Sequence, residues 1–122
     1  MISAADLARV FTVLINDGEY MGQRILSQNA VSQLETVQQK SAGKNFEQCI
    51  GLRYSEKCYD GRSMYFHPGN AYGVLSLAAY DKSDKSGVVI ITTGADLTRD
   101  KYGNFKVCSD MLNYIYQNVI KD

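Results

Sequence analysis

The stretch "FHPGNAYG", residues 66–73, sets the only histidine and the only proline of a 122-residue chain side by side as His67 and Pro68, followed at once by Gly69. Imidazole titrates near neutral pH and can donate or accept a proton. Proline has no N–H to give to a ladder, so within a sheet it is confined to edges, strand ends or bulges. Glycine removes a side chain where something else must come close to the backbone. The trio therefore suits a strand edge that faces a ligand. It equally suits an idle, partly exposed histidine followed by a turn-forming proline.

The flanking sequence supplies elements to hold it. "SAADLARVFTVLINDG" opens with Ser3 and Asp6 at capping-box spacing, repeats Leu7, Val10, Phe11, Leu14 and Ile15 on one face and stops at Gly18, which predicts a helix with one buried stripe. "LSQNAVSQLETVQQ" predicts a second helix, capped by Ser27, with Ala30, Val31, Leu34 and Val37 inward, and "KSAGKN" ends it. From Ile50 the periodicity changes. "IGLRYSE", "RSMYFH", "YGVLSLAAYD" and "GVVIITTG" read as four antiparallel strands separated by "KCYDG", "PGNA" and "KSDKS", the last strand apolar enough to be covered on both faces. A final helix over 105–120, with Val107, Cys108, Met111, Leu112, Ile115, Tyr116 and Val119 on one face, is expected to cover the sheet. The fold class is α+β in a single domain: two helices, about four strands, one helix.

Composition excludes several functions. Thirteen basic and thirteen acidic residues cancel and are scattered, so nothing recruits nucleic acid or an anionic membrane. No apolar run reaches the roughly 18 residues of a membrane span. Cys49, Cys58 and Cys108 lack zinc-ligand spacing and read as three separate small apolar residues; the alternative is a Cys49–Cys58 pair in an oxidising compartment. Asp60, Asp81, Asp84, Asp96 and Asp100 fall in turns without metal-loop spacing, so no metal and no cofactor is expected.

The run "SAADLARVFTVLINDGEYMGQRILSQNAVSQL", then "GLRY", then "FHPGNAYGVLSLAAYDKSDKSGVVIITTGA" resembles the C-terminal part of the penicillin-recognising serine hydrolases, which include class C β-lactamases, D-alanyl-D-alanine carboxypeptidases and β-lactamase-like esterases. In that superfamily an active-site strand carries Lys-Thr-Gly or His-x-Gly, with another glycine four residues later. Here that is His67-Pro68-Gly69 with Gly73, and Gly18, Gly22, Ile25, Leu26 and Ser27 match the family's spelling before it. The resemblance implies that His67 points into the catalytic groove and that the Asn70 amide is one of two oxyanion donors. Gly69 would then let a substrate carbonyl approach, and Tyr72 would line the groove.

The family also needs a serine and lysine in Ser-x-x-Lys and then a Tyr-x-Asn, in that order before the strand. Ser41 and Lys44 have the first spacing but in a loop, and Tyr102 to Asn104 has the second but after His67, so both read as coincidences. The expectation is a C-terminal segment whose partner is the missing N-terminal part of the hydrolase. Its substrates would be D-Ala peptides, β-lactams or esters, and it would be inactive and homodimeric alone. For the full-length protein the resemblance implies an extracytoplasmic or cell-envelope location. The alternative is a stand-alone, non-catalytic α+β binding or dimerisation module.

Overall fold

The computed structural model describes residues 1–40 and 45–120. Helix α1 (Ala4–Ile15) begins where Ser3 Oγ accepts the Asp6 N–H at 3.1 Å and donates to the Asp6 carboxylate at 2.8 Å. It ends at Ile15, and the chain turns away at Gly18, whose N–H donates to the Val13 carbonyl at 2.8 Å, whose φ of 101° suits glycine and whose missing Cβ would lie 2.1 Å from the Leu26 carbonyl oxygen. A small ribbon, β1 (Glu19–Tyr20) with β2 (Gln23–Arg24), turns the chain back. Helix α2 (Gln28–Glu35) is then capped by Ser27, which accepts the Ala30 N–H at 3.0 Å.

The main sheet has five antiparallel strands in sequential order, β3 (Glu47–Gln48), β4 (Arg53–Ser55), β5 (Met64–Ala71), β6 (Val74–Asp81) and β7 (Ser86–Thr93). Helix α3 (Lys106–Asn118) follows. The expected α+β architecture is present, with a fifth strand and the ribbon added. Alternation along the strands sorts two cores. Met64, Phe66, Leu75, Leu77, Ala79, Val88 and Ile90 meet Phe105, Cys108, Leu112 and Tyr116 from α3. On the other face Tyr80 packs with Leu14, Ile15, Val31, Cys49 and Leu52, flanked by Phe11, Leu34, Tyr54 and Tyr65. The three cysteines are free and buried, so the Cys49–Cys58 pair is not formed. No helix among the described residues is long and apolar enough to cross a membrane.

Three expectations need correcting. "PGNA" is not a turn: it is the second half of β5, and the turn is Tyr72–Gly73, with φ of 54° and 76° in a two-residue hairpin. "GVVIITT" is covered on one face by α3 but only in part on the other, where α1 lies over Gly87. It is the sheet's edge strand, with Val88 and Ile90 buried and Ile91 exposed. The α1 stripe is buried only at its C-terminal end, and Val10 is half exposed.

A polar knot fixes the helices to the sheet. Tyr80 Oη donates to Glu35 Oε1 at 2.8 Å, and Lys82 Nζ reaches the same oxygen at 2.8 Å, Asp17 at 2.9 Å and the Leu14 carbonyl at 2.5 Å. Glu35 and Lys82 are mostly buried, and a buried charge without its partner is costly, so the ends of α1 and α2 are held to the end of β6.

Candidate functional site

β4 is short. It pairs with β5 only from Arg53↔Phe66 to Ser55↔Met64, because the chain enters it through a tight turn in which the Cys49 N–H donates to the Leu52 carbonyl at 2.8 Å. Beyond Phe66 the outer edge of β5 therefore has no strand beside it among the described residues, while its inner edge pairs with β6 from Tyr65↔Tyr80 to Ala71↔Val74. In a two-residue hairpin the flanking pair, Ala71 and Val74, exchanges both ladder bonds, and the sense of bonding alternates from there. The backbone groups of Ala71, Gly69 and His67 thus face β6, and those of Asn70 and Pro68 face the open edge. Proline sits where its missing N–H costs no ladder bond. The Asn70 N–H points outward.

Each side of this edge opens into a cleft. On the α3 side a cleft of about 210 Å³ is lined by Arg53, Pro68, Gly69, Asn70, Arg99, Gly103, Asn104 and Phe105. Arg99 lies 4.2 Å over the Phe105 ring and donates to the Gly103 carbonyl at 2.7 Å, and Arg53 lies 4.2 Å over Phe46. Asp100 shapes the loop, its Oδ1 accepting the N–H groups of Tyr102 at 2.9 Å and Asn104 at 3.0 Å. Tyr102 to Asn104 is thus part of an Asx-type turn before α3. Asn104 Nδ2 is buried without a hydrogen-bond partner among the described residues.

On the α1 side a cleft of about 330 Å³ is lined mostly by apolar residues, Leu7, Phe11, Leu14, Leu34, Ile50, Gly51, Leu52 and Ala78, with His67 and Ser76 as its polar members. His67 is exposed, and its side chain makes no hydrogen bond with a described residue. A Cβ at Gly69 would lie 2.3 Å from Ser76 Oγ, so the glycine is required by its cross-strand neighbour, whatever approaches from outside. Tyr72, at the hairpin tip, is fully exposed and lines neither cleft.

The structure therefore brings His67, Gly69 and Asn70 to one open strand edge and leaves Tyr72 at its tip. Sequence reasoning missed Ser76, Arg53 and Arg99, and set Asn104 aside as part of a chance Tyr-x-Asn. Ser76 had a signal, because a turn at Tyr72–Gly73 puts residue 76 opposite residue 69. Ser41 and Lys44 lie outside the described residues. Burial raises the thiol pKa of Cys108, and burial with Glu47 and Glu35 raises that of Cys49, so neither is an activated nucleophile. Among the described residues no group of three or more His, Cys, Asp or Glu is placed to hold a metal ion. The edge can align a ligand's backbone and polarise a carbonyl.

No family model and no curated protein matches the chain. Among solved structures, a D-stereospecific amidohydrolase from Streptomyces sp. aligns over 97% of this chain with a TM-score of 0.61 and 20% sequence identity. The fold is part of a β-lactamase-like fold. The chain spans 30% of the length of that amidohydrolase chain. At this identity the likeness concerns architecture.

Proposed function

We propose that these residues are the C-terminal, groove-wall portion of a β-lactamase-like serine hydrolase. The enzyme would act through an acyl-enzyme on D-aminoacyl peptides, amides, β-lactams or esters, with nucleophile and base supplied from outside the 122 residues. The observation that carries this reading is the open edge of β5, where strand pairing on the outer side stops at Phe66 and the Asn70 N–H faces a cleft.

In this reading the Asn70 N–H donates to the substrate carbonyl oxygen as it gains negative charge, a contact whose loss typically costs about 2.7–4 kcal/mol of transition-state stabilisation. Its partner donor belongs to the nucleophile's segment. His67, reaching into the other cleft, hydrogen-bonds the base network, and the apolar residues around it limit water. The likeness to a D-stereospecific amidohydrolase supports the substrate class.

The test is an amide-resolved magnetic resonance titration of the 122-residue chain with N-acetyl-D-alanine amide and its L-enantiomer. The reading predicts shifts at Asn70 and His67, larger for the D form. No shift at Asn70 with either would instead favour a non-catalytic module.

A further inference from the structure

Residues 94–104 join β7 to α3 without helix or strand, and Arg99, Gly103 and Asn104 form the wall of the small cleft that faces the open edge of β5. The segment's hydrogen bonds are mostly its own. The Asp100 N–H donates to the Asn104 carbonyl at 2.8 Å and the Gly103 N–H to the Asp100 carbonyl at 3.0 Å, beside the bonds that Arg99 and Asp100 Oδ1 make within the loop. The Lys106 N–H holds the Thr98 carbonyl to the start of α3 at 2.8 Å. Otherwise two bonds tie the segment to the rest of the described residues, Gly94 N–H to the Gly73 carbonyl at 3.4 Å and Asn45 Nδ2 to the Tyr102 carbonyl at 3.3 Å. Both are longer than the usual range of about 2.7–3.2 Å. Only Ala95 and Tyr102 pack on the core, and each is partly buried.

Glycines in the left-handed region stand near both ends, Gly94 at φ of 70° and Gly103 at 82°. There is room to move, because the segment also borders a second cleft of about 390 Å³, where Asp100, Lys101 and Tyr102 face Lys57, Cys58 and Asp60. Two buried side-chain atoms lack partners among the described residues, Asn104 Nδ2 and Tyr59 Oη. The Tyr59 ring packs in the same core as Phe105 and Cys108, and burial first, then Cys58 and Asp100, raises its pKa, which sets the phenol close to the segment. Buried polar atoms are nearly always paired, so these two penalise the closed arrangement, and an outward swing hydrates them.

We propose that residues 94–104 are a hinged strap that swings about Gly94 and the buried Phe105, and that a ligand lying along β5 holds it closed. The ligand supplies the acceptor that Asn104 lacks and fills the space between the strap and the strand. The motion stands on the segment's own bonding, whereas its coupling to a ligand rests on the groove reading given above. Closing by a few residues at a loop end is a common way to sequester a bound molecule.

Cys58 reads the motion. It is 2% exposed, it lies across the larger cleft from the strap, and its thiol donates at 3.4 Å to the carbonyl of Asn45, whose side chain holds Tyr102. Cys108 on α3 and Cys49 in the other core are references. The 122-residue protein is treated with a methanethiosulfonate, and the initial rate at each cysteine, resolved by peptide mass spectrometry, is divided by its rate in the unfolded chain. Cys58 is expected to react at least tenfold faster than the other two. Asn45→Ala should speed Cys58 at least threefold and leave Cys49 and Cys108 unchanged, and saturating N-acetyl-D-alanine amide should slow it at least threefold. Cys58 no faster than its references, or unmoved by Asn45→Ala, overturns the strap. If Asn45→Ala does not fold, Tyr59→Phe decides the matter: removing the unpaired hydroxyl favours the closed form and should slow Cys58 at least threefold, and an unchanged rate overturns the strap. A ligand that shifts the Asn70 amide but leaves the Cys58 rate unchanged overturns the closing and leaves the groove reading standing. Fast Cys58 labelling that responds to the variant, with no ligand effect at Asn70, supports the strap and removes the groove reading.

Discussion

Ser76 Oγ occupies the space that a side chain at Gly69 would need: a Cβ there would lie 2.3 Å away, on the face that also carries His67. Gly69→Ala alone is therefore expected to cost about 1–3 kcal/mol as an overpacked site. Ser76→Ala should relieve most of that cost, so that the double variant is more stable than the two single changes summed. Denaturant unfolding of the four proteins in a double-mutant cycle measures the coupling, and strict additivity would show that the contact is not made.

The chain by itself is expected to be catalytically silent. Among the described residues the open edge offers an oxyanion donor and an imidazole, but no serine paired with a base, and the two cysteines whose thiol pKa burial raises are not activated. A chromogenic cephalosporin, a D-alanyl nitroanilide and a fluorescent penicillin should give neither turnover nor a covalent adduct. Labelling that survives Ser41→Ala would place a nucleophile within this chain and defeat the groove-wall reading.

Stability should fall at alkaline pH. Burial, with Glu35 and Tyr54, pushes the Tyr65 phenol up to about 12, and burial with Glu35 pushes Tyr80 higher still. A phenol whose folded pKa exceeds its unfolded value of about 10 contributes stability that is complete below that pH and lost as pH rises through the folded value. Phenolate absorbance should show a late-ionising subset of the nine tyrosines. Midpoints of unfolding should decline between about pH 10 and 12, less steeply in Tyr65→Phe. A flat profile would mean that the packing around Tyr65 is looser than described.

The outer edge of β7, Ser86–Thr93, has no strand beside it among the described residues, and such an edge templates pairing with another chain. We expect a concentration-dependent homodimer built by antiparallel β7–β7 pairing about a two-fold axis. The ladder with β6 leaves the Ile91 N–H on the outer side, so Ile91→Pro should abolish the dimer while keeping the sheet. Light scattering across a hundredfold dilution checks both. A monomer at every concentration would contradict the pairing.

How much of this was legible follows from the range of the interactions. The caps at Ser3 and Ser27 depend on three or four neighbouring residues and were readable, as was the α3 stripe. The Pro-Gly-Asn run misled because its local turn preference is overridden by pairing with β6 through Ala71, and because an open edge tolerates proline. Ile91 misled because an apolar run does not reveal whether a strand is central or at an edge. Arg53 and Arg99 carry no local signal at all, and Asn104 carries only a Tyr-x-Asn spacing that its place after His67 set aside. They meet Asn70 only because β4 stops short and the loop before α3 folds over the gap, and that is a property of the sheet's register.

The central claim is that β5 turns an unpaired edge outward from His67 to Ala71, with the Asn70 N–H aimed at the cleft. Native-state hydrogen exchange, resolved by residue, tests it most directly, because alternate amides of one strand should behave oppositely. The account predicts that the Gly69 and Ala71 amides exchange at least a hundredfold more slowly than Asn70, whose rate approaches that of an unprotected amide until N-acetyl-D-alanine amide is added. An Asn70 amide as protected as its two neighbours in the free chain would mean that the edge is already covered, and would contradict the account.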